Sequence, residues 1–343
     1  MKHNFVFLLL CCVWLLSACK PDPSISPEEE ITFSVPEGWP QPVYKFENNT
    51  LSKAGFELGR KLFFDTRLSR DNSIACGSCH QPFAAFSQFD HDVSHGVDNK
   101  LGIRNSPALF NLNWHSSFFW DGGVVHIENQ PLNPIQNPVE MDEKLENIIA
   151  KLRSDNDYST KFKEVFGDET INSQRIFKAL AQFMGMLVSS NSKYDHFVRN
   201  EEGGEMTSME LNGLNIYREK CAACHKEPLF SDFSYRNNGL TPSVSNDSGR
   251  ARITLDANDL YKFKVPSLRN LKYSAPYMHD GRFRTLSDAL NHYTSGIHAS
   301  PTLDPLLQNG IQLTAQEKSD LLAFLNTLND ESFVKDKRFQ EVQ

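Results

Sequence analysis

The chain has 343 residues, 39% hydrophobic, 11% aromatic and 23% charged, which is ordinary for one large or two medium globular domains and excludes a disordered or fibrous protein. Its formal charge of −8, from 35 Lys and Arg against 43 Asp and Glu with no long basic run, argues against a nucleic-acid partner. The cysteine count of 7 is odd, so an exported protein would be left with an unpaired thiol or an intermolecular bridge unless the cysteines have other uses.

The N-terminus gives the first use. Met1-Lys2-His3 is followed by an apolar run from Phe5 to Leu16 and then by small residues, the layout of a secretory signal. The run is too short for a bilayer span, which takes about 20 residues; an uncleaved anchor or a buried helix is the competing reading. Leu16-Ser17-Ala18-Cys19 resembles the bacterial lipobox. That resemblance implies a signal peptide over 1–18, a diacylglyceryl group on Cys19, and an exported protein lipid-anchored on the periplasmic side. Lys20 is compatible with outer-membrane sorting. Residues 19–48, with Pro21, Pro23, Pro27, Pro36, Pro40 and the run Glu28-Glu29-Glu30, read as a tether.

Next comes a helical pattern over 51–64, with Ser52 as cap and Phe56, Leu58, Leu62 and Phe63 on one face. It leads to Cys76-Gly-Ser-Cys79-His80, a C-x-x-C-H motif of c-type haem attachment. Helices are expected at 143–153, 157–166 and 173–190. Asn200-Glu201-Glu202-Gly203-Gly204 is the best domain boundary. Thr207-x-x-Glu210 then caps a helix carrying Leu211, Leu214, Ile216 and Tyr217, which runs into a second motif, Cys221-Ala-Ala-Cys224-His225. A helix at 285–294 follows, and Thr314-x-x-Glu317 opens one with Leu321, Leu322, Phe324, Leu325 and Leu328, a candidate to pack against the second haem.

The four cysteines of the mature body thus sit in two identical patterns. Thiols three positions apart on a turn reach the two vinyl groups of a haem, and the following imidazole lies under the iron. A zinc site would keep its C-x-x-C pairs close together, and a thioredoxin-like redox pair needs a βαβ context; neither condition holds. The expectation is a mainly α protein of two cytochrome c-like haem domains joined by an interface, 49–200 and 201–343. Long loops at 81–142 and 226–284 and little β structure complete it.

Further motifs carry a family resemblance. Gly59-Arg-Lys-Leu-Phe-Phe-Asp-Thr-Arg-Leu68, Arg104-Asn-Ser-Pro107, Phe119-Trp-Asp-Gly122, Pro138-Val-Glu-Met141, Pro266-Ser-Leu-Arg-Asn270 and Pro276-Tyr-Met-His-Asp-Gly281, together with both haem motifs, resemble the bacterial di-haem cytochrome c peroxidases and the related protein MauG. The resemblance implies that the N-terminal haem cleaves hydrogen peroxide and the C-terminal haem relays electrons to it. Glu140 matches the distal acid/base, Gln130 the distal glutamine, Pro134 a pocket proline and Trp120 a tryptophan between the haems. His95 matches the histidine that ligates the first haem in many resting oxidised members, with His91 and His115 as rivals. Asn105, with backbone oxygens of Ser274 and Pro276, matches a calcium site between the domains, an oxygen-only donor set that suits this ion.

One departure bears on mechanism. Where members with a high-potential second haem have a methionine ligand, this chain has Tyr293, as MauG does. A thioether raises a haem's potential, whereas phenolate favours ferric and higher states. Met278, His279, His292 and His298 are rival ligands. The functions implied are a peroxidase fed by a small c-type cytochrome or copper protein, a MauG-like oxidase acting on a partner protein through a high-valent state, or a non-catalytic electron-transfer protein; Glu140 with Gln130 argues against the last. Family members are often dimers, so a homodimer is expected too.

Overall fold

The computed structural model describes residues 31–342, so the expected signal peptide, Cys19 and the start of the tether lie outside the described residues. In chain order the helices are α1 (Lys53–Phe63), α2 (Cys76–Cys79), α3 (Leu132–Gln136), α4 (Leu145–Arg153), α5 (Asn156–Phe166), α6 (Ser173–Gly185), α7 (Lys193–Arg199), α8 (Ser208–Lys220), α9 (Ala251–Thr254), α10 (Leu286–Ser295), α11 (Ala315–Asn326) and α12 (Glu331–Lys335). The paired strands, β1 (Tyr235–Arg236) and β2 (Phe263–Lys264), form one short antiparallel ladder. The protein is therefore mainly helical, and no helix among the described residues is long and apolar enough to cross a membrane.

The helices begin where the caps place them. Ser52 Oγ accepts from Gly55 N at 3.0 Å, and the boxes Thr207/Glu210 and Thr314/Glu317 are both closed, each satisfying N–H groups that a helix start leaves unpaired. Helix α6 ends earlier than the expected 190. Beyond Gly185 the backbone is taken by other partners: Asn113 donates to Gly185 O at 2.9 Å, Asn111 N to Leu187 O at 2.8 Å, and Ser189 N donates to Asn111 Oδ1 at 2.9 Å.

Two helix crossings organise the two halves. In the first, α1 packs on α6, so closely that a Cβ on Gly59 would stand 2.0 Å from Ala179 O. In the second, α8 packs on α11, where a Cβ on Gly213 would stand 2.0 Å from Asp320 O. Each crossing has its own core. Phe56, Leu62, Phe63, Phe86, Leu180 and Phe183 belong to the first, and Tyr194, Leu214, Tyr217, Phe230, Phe324 and Leu328 to the second.

The two cores do not divide at the expected boundary residues. Tyr194 on α7 lies in the second core, so the change of core falls before α7 rather than at 200–204. Phe333, Val334 and Phe339, at the C-terminal end, return to the first core. The described part of the expected tether is packed on the body. Phe33, Val35 and Trp39 pack with Trp114, Leu229 and Phe233, and Trp114 Nε1 donates to Pro40 O at 2.8 Å. This strap crosses both halves, because Arg269 lies over the Trp39 ring, 4.8 Å from its centroid.

Candidate active site

Helix α2 is a single turn whose ends are Cys76 and Cys79, and His80 N closes it on Cys76 O at 2.9 Å. His80 Nδ1 donates to Phe86 O at 2.9 Å, which fixes the ring and leaves Nε2 available to ligate a metal. Burial lowers the His80 pKa to about 4, so the imidazole is neutral. The second motif repeats the arrangement at the end of α8. His225 N meets Cys221 O at 3.0 Å, and His225 Nδ1 faces Phe230 O at 3.2 Å and Pro266 O at 3.1 Å. Both phenylalanines sit in the left-handed region, Phe86 at φ 59° and Phe230 at φ 54°.

These donors fit haem c at both places. All four thiols are free of disulfides, and burial raises the pKa of each. Among the described residues no group of His, Cys, Asp and Glu is arranged to hold a metal ion.

The structure brings Glu140 and the His95 segment to the first motif. Cys79 Sγ lies 3.6 Å from His95 O, and the Glu140 carboxylate is near enough to raise the Cys79 pKa. Val97 N donates to Glu140 O at 2.8 Å, and a Cβ on Gly96 would meet Glu140 O and Val139 O, each at 2.3 Å. Glu140 Oε1 accepts from Asn137 Nδ2 at 2.9 Å, while burial raises its own pKa. Pro134 lies on α3, and its carbonyl accepts from Met141 N at 3.1 Å, tying the pocket proline to the turn that carries Glu140. Gln130 is buried at the foot of the same segment.

Of the rivals to His95, His91 is its neighbour, ring centroids 4.6 Å apart. His115 is elsewhere: it lies between Phe118 and Phe233, beside Lys264 Nζ at 3.4 Å. Trp120 stands where the two halves meet. Its Nε1 donates to Asn105 O at 2.8 Å, its carbonyl accepts from Lys264 N at 2.7 Å, and its ring is 6.5 Å from His279.

Tyr293, on α10, is near enough to Cys221 and Cys224 for their charges to act on its phenol. Asn238 Nδ2 lies 3.4 Å from Tyr293 Oη and 3.5 Å from Met278 Sδ, so one amide addresses both oxygen and sulfur. The rival histidines are engaged differently. His279 stacks on Phe263 at 3.7 Å, His292 Nε2 is 2.9 Å from Asn238 O, and His298 is exposed. Replacing Tyr293 by Phe should therefore change the absorption and EPR spectra of the second haem; unchanged spectra would refute ligation by its oxygen. Asn238 was not signalled by sequence, since it belongs to no motif.

Asn105 joins the loops expected to hold calcium, its N donating to His279 O at 2.7 Å. Its side-chain amide donates to His91 O and Asp92 O at 3.1 and 3.2 Å; Ser274 and Pro276 are not among its hydrogen-bond partners.

The family model described as di-haem cytochrome c peroxidase matches residues 53–203. The methylamine utilization protein MauG of Methylophilus methylotrophus is 33% identical over 315 residues, which cover 89% of this chain and 90% of that protein. The cytochrome c551 peroxidase of Nitrosomonas europaea is 33% identical over 79% of each chain. A solved MauG-like protein associated with microbial copper homeostasis superimposes with a TM-score of 0.82 at 34% identity, covering 91% of this chain and 99% of that one.

Proposed function

The chain belongs to the family of di-haem cytochrome c peroxidases and MauG proteins, and on that premise we propose that it reduces hydrogen peroxide at the N-terminal haem with electrons delivered through the C-terminal one. Cys76, Cys79 and His80 would hold the first haem, Cys221, Cys224 and His225 the second. When bound, the haems supply the electrons and the Lewis acidity for cleaving the O–O bond. The observation that carries the reading is Glu140, a half-buried carboxyl beside Cys79 with its pKa raised. Such a group takes the proton from the near oxygen of the peroxide and returns it to the far one, which leaves as water. Two further protons, taken up from solvent, and two electrons complete the reduction to two waters. Asn137 aims Glu140 through the 2.9 Å bond, and Gln130 offers an amide to the same pocket. Trp120 provides a π-system between the haems.

His95 would be the gate in this proposal, the residue that would hold the first haem at rest and release it on half-reduction. His95→Ala should make the first haem five-coordinate and peroxide-reactive without prior reduction; an unchanged low-spin resting spectrum would refute the gate. The electron donor is a small c-type cytochrome or copper protein. Calcium at Asn105, Ser274 and Pro276, a lipid anchor at Cys19 on the periplasmic side of the outer membrane and a homodimer belong to the same proposal.

Tyr293 favours a second reading, in which the electrons come from a side chain of a partner protein, as in a MauG-like oxidase. A peroxide titration of the resting and half-reduced protein, with and without a reduced donor cytochrome, separates the two. Turnover only after half-reduction and only with donor supports the peroxidase. Reaction of the resting protein without donor supports the second reading.

A further inference from the structure

Lys264 is the residue whose surroundings the proposed chemistry leaves unexplained. It closes β2, and its side chain crosses from the second half to the first, where Nζ donates to Ser117 O at 2.8 Å and lies 3.4 Å from His115 Nδ1. The Phe118 ring flanks it, 6.0 Å from centroid to Nζ. Among the described residues no carboxylate pairs with it: Asp121, the acid whose charge reaches it, is held by Arg104 at 2.6 Å and faces Arg252 at 3.7 Å. An ammonium withdrawn from water without an anion is strongly unfavourable, and burial, only partly offset by the Asp121 charge, lowers this one to about 7. The neighbouring imidazole is neutral, its pKa pushed far down by burial and by Lys264. With Nδ1 accepting from Lys264, its Nε2–H remains as a second donor. Two donors of different kind therefore meet at the seam, and Lys264 keeps partial exposure there.

The location identifies the anion. Lys264 N is bonded to Trp120 O at 2.7 Å, and two residues further on Pro266 O faces the proximal His225 at 3.1 Å. Haem c brings carboxylates of its own, the propionates, and among the described residues no carboxylate other than the Arg104-held Asp121 acts on Lys264. We propose that Lys264, with His115 beside it, anchors a haem propionate at the seam between the two halves. The ammonium supplies charge and a hydrogen bond, the Ser117 carbonyl orients it, and the Phe118 and Phe233 rings hold His115 in place. One functional consequence is electrostatic: a fixed positive charge next to a propionate favours the reduced haem.

The inference rests on the di-haem reading, so the test begins with a pyridine haemochrome count on the wild-type protein; absence of haem c would overturn that reading independently. Potentials of both haems are then measured by spectroelectrochemistry in wild type, Lys264→Gln and Lys264→Arg, with resonance Raman spectra of the propionate bending modes. Lys264→Gln should shift the reduction equilibrium of one haem about tenfold toward the oxidised form, which is 59 mV for one electron. Lys264→Arg, which keeps the charge, should hold the potential within about twofold and move the bending mode. Should Lys264→Gln fail to load haem, the arginine variant decides alone by its bending mode. Potentials and bending modes unchanged in every variant that loads haem would overturn the proposal.

Discussion

Glu140→Gln should lower peroxide turnover by about 100-fold or more, the usual scale for a positioned acid/base, with both haems attached and their spectra at rest unchanged. Glutamine keeps the shape and can still meet Asn137, whose Nδ2 lies 2.9 Å from Glu140 Oε1, but it cannot take a proton from one peroxide oxygen and give it to the other. The pH profile carries the same information. Burial raises the Glu140 pKa, so activity that needs the carboxylate as base should fall as pH drops through that raised value, and this limb should vanish in the glutamine variant. Near-normal turnover, or an unaltered acid limb, would remove Glu140 from the proton path. Stopped-flow measurement of peroxide consumption at saturating reduced donor distinguishes these outcomes, because it separates the cleavage step from donor exhaustion.

What the sequence made legible was local. Ser52, Thr207 and Thr314 close their caps at the expected residues, because a cap is decided by partners three positions away. The haem motifs were equally plain, since thioether attachment fixes their spacing. Family resemblance then led to Glu140 and Tyr293, which the fold brings to the first and second motifs respectively. Non-local packing was not legible. The proline-rich stretch before Asn49 reads as a solvated tether, yet Trp39 is buried against Trp114 and Arg269. Phe333 and Phe339 follow the second haem unit in sequence but fill the first core. Gly59 and Gly213 mark the helix crossings, a signal that sequence reading could have used had it asked why glycine stands inside two otherwise good helices. Lys264 and His115 come from segments far apart in the chain, and nothing in either segment announces the other.

Arg269→Met should be the most destabilising change in the second half, by about 3–5 kcal/mol. The side chains of Arg269 and Asp195 are 0% and 4% exposed, and two hydrogen bonds of 2.7 Å join them. Arg269 Nε and Nη2 also donate to Pro228 O at 3.0 and 2.8 Å. Its guanidinium lies between the rings of Trp39 and Phe230, and the Phe230 carbonyl orients His225. Methionine fills the volume but leaves the Asp195 carboxylate buried without its partner, so both stability and the second haem's ligation should suffer. Removing both charges with Arg269→Met and Asp195→Leu should recover much of the loss, because an apolar pair avoids the desolvation that the ions incur. The pH dependence has a definite sign. Burial tends to raise the Asp195 pKa, but the Arg269 bonds outweigh it and hold the value below normal. In wild type this contribution is complete above the unfolded carboxylate's pKa of about 3.9 and is lost as pH falls through the lower folded value. In Arg269→Met the buried carboxyl is instead easier to protonate, so the stability gap between the two proteins should narrow on acidification. Denaturant unfolding at neutral and acid pH, followed through the second haem's spectrum, measures both quantities; a neutral-pH loss below about 1 kcal/mol, the range of an exposed pair, would show that Arg269 is not the keystone of this half.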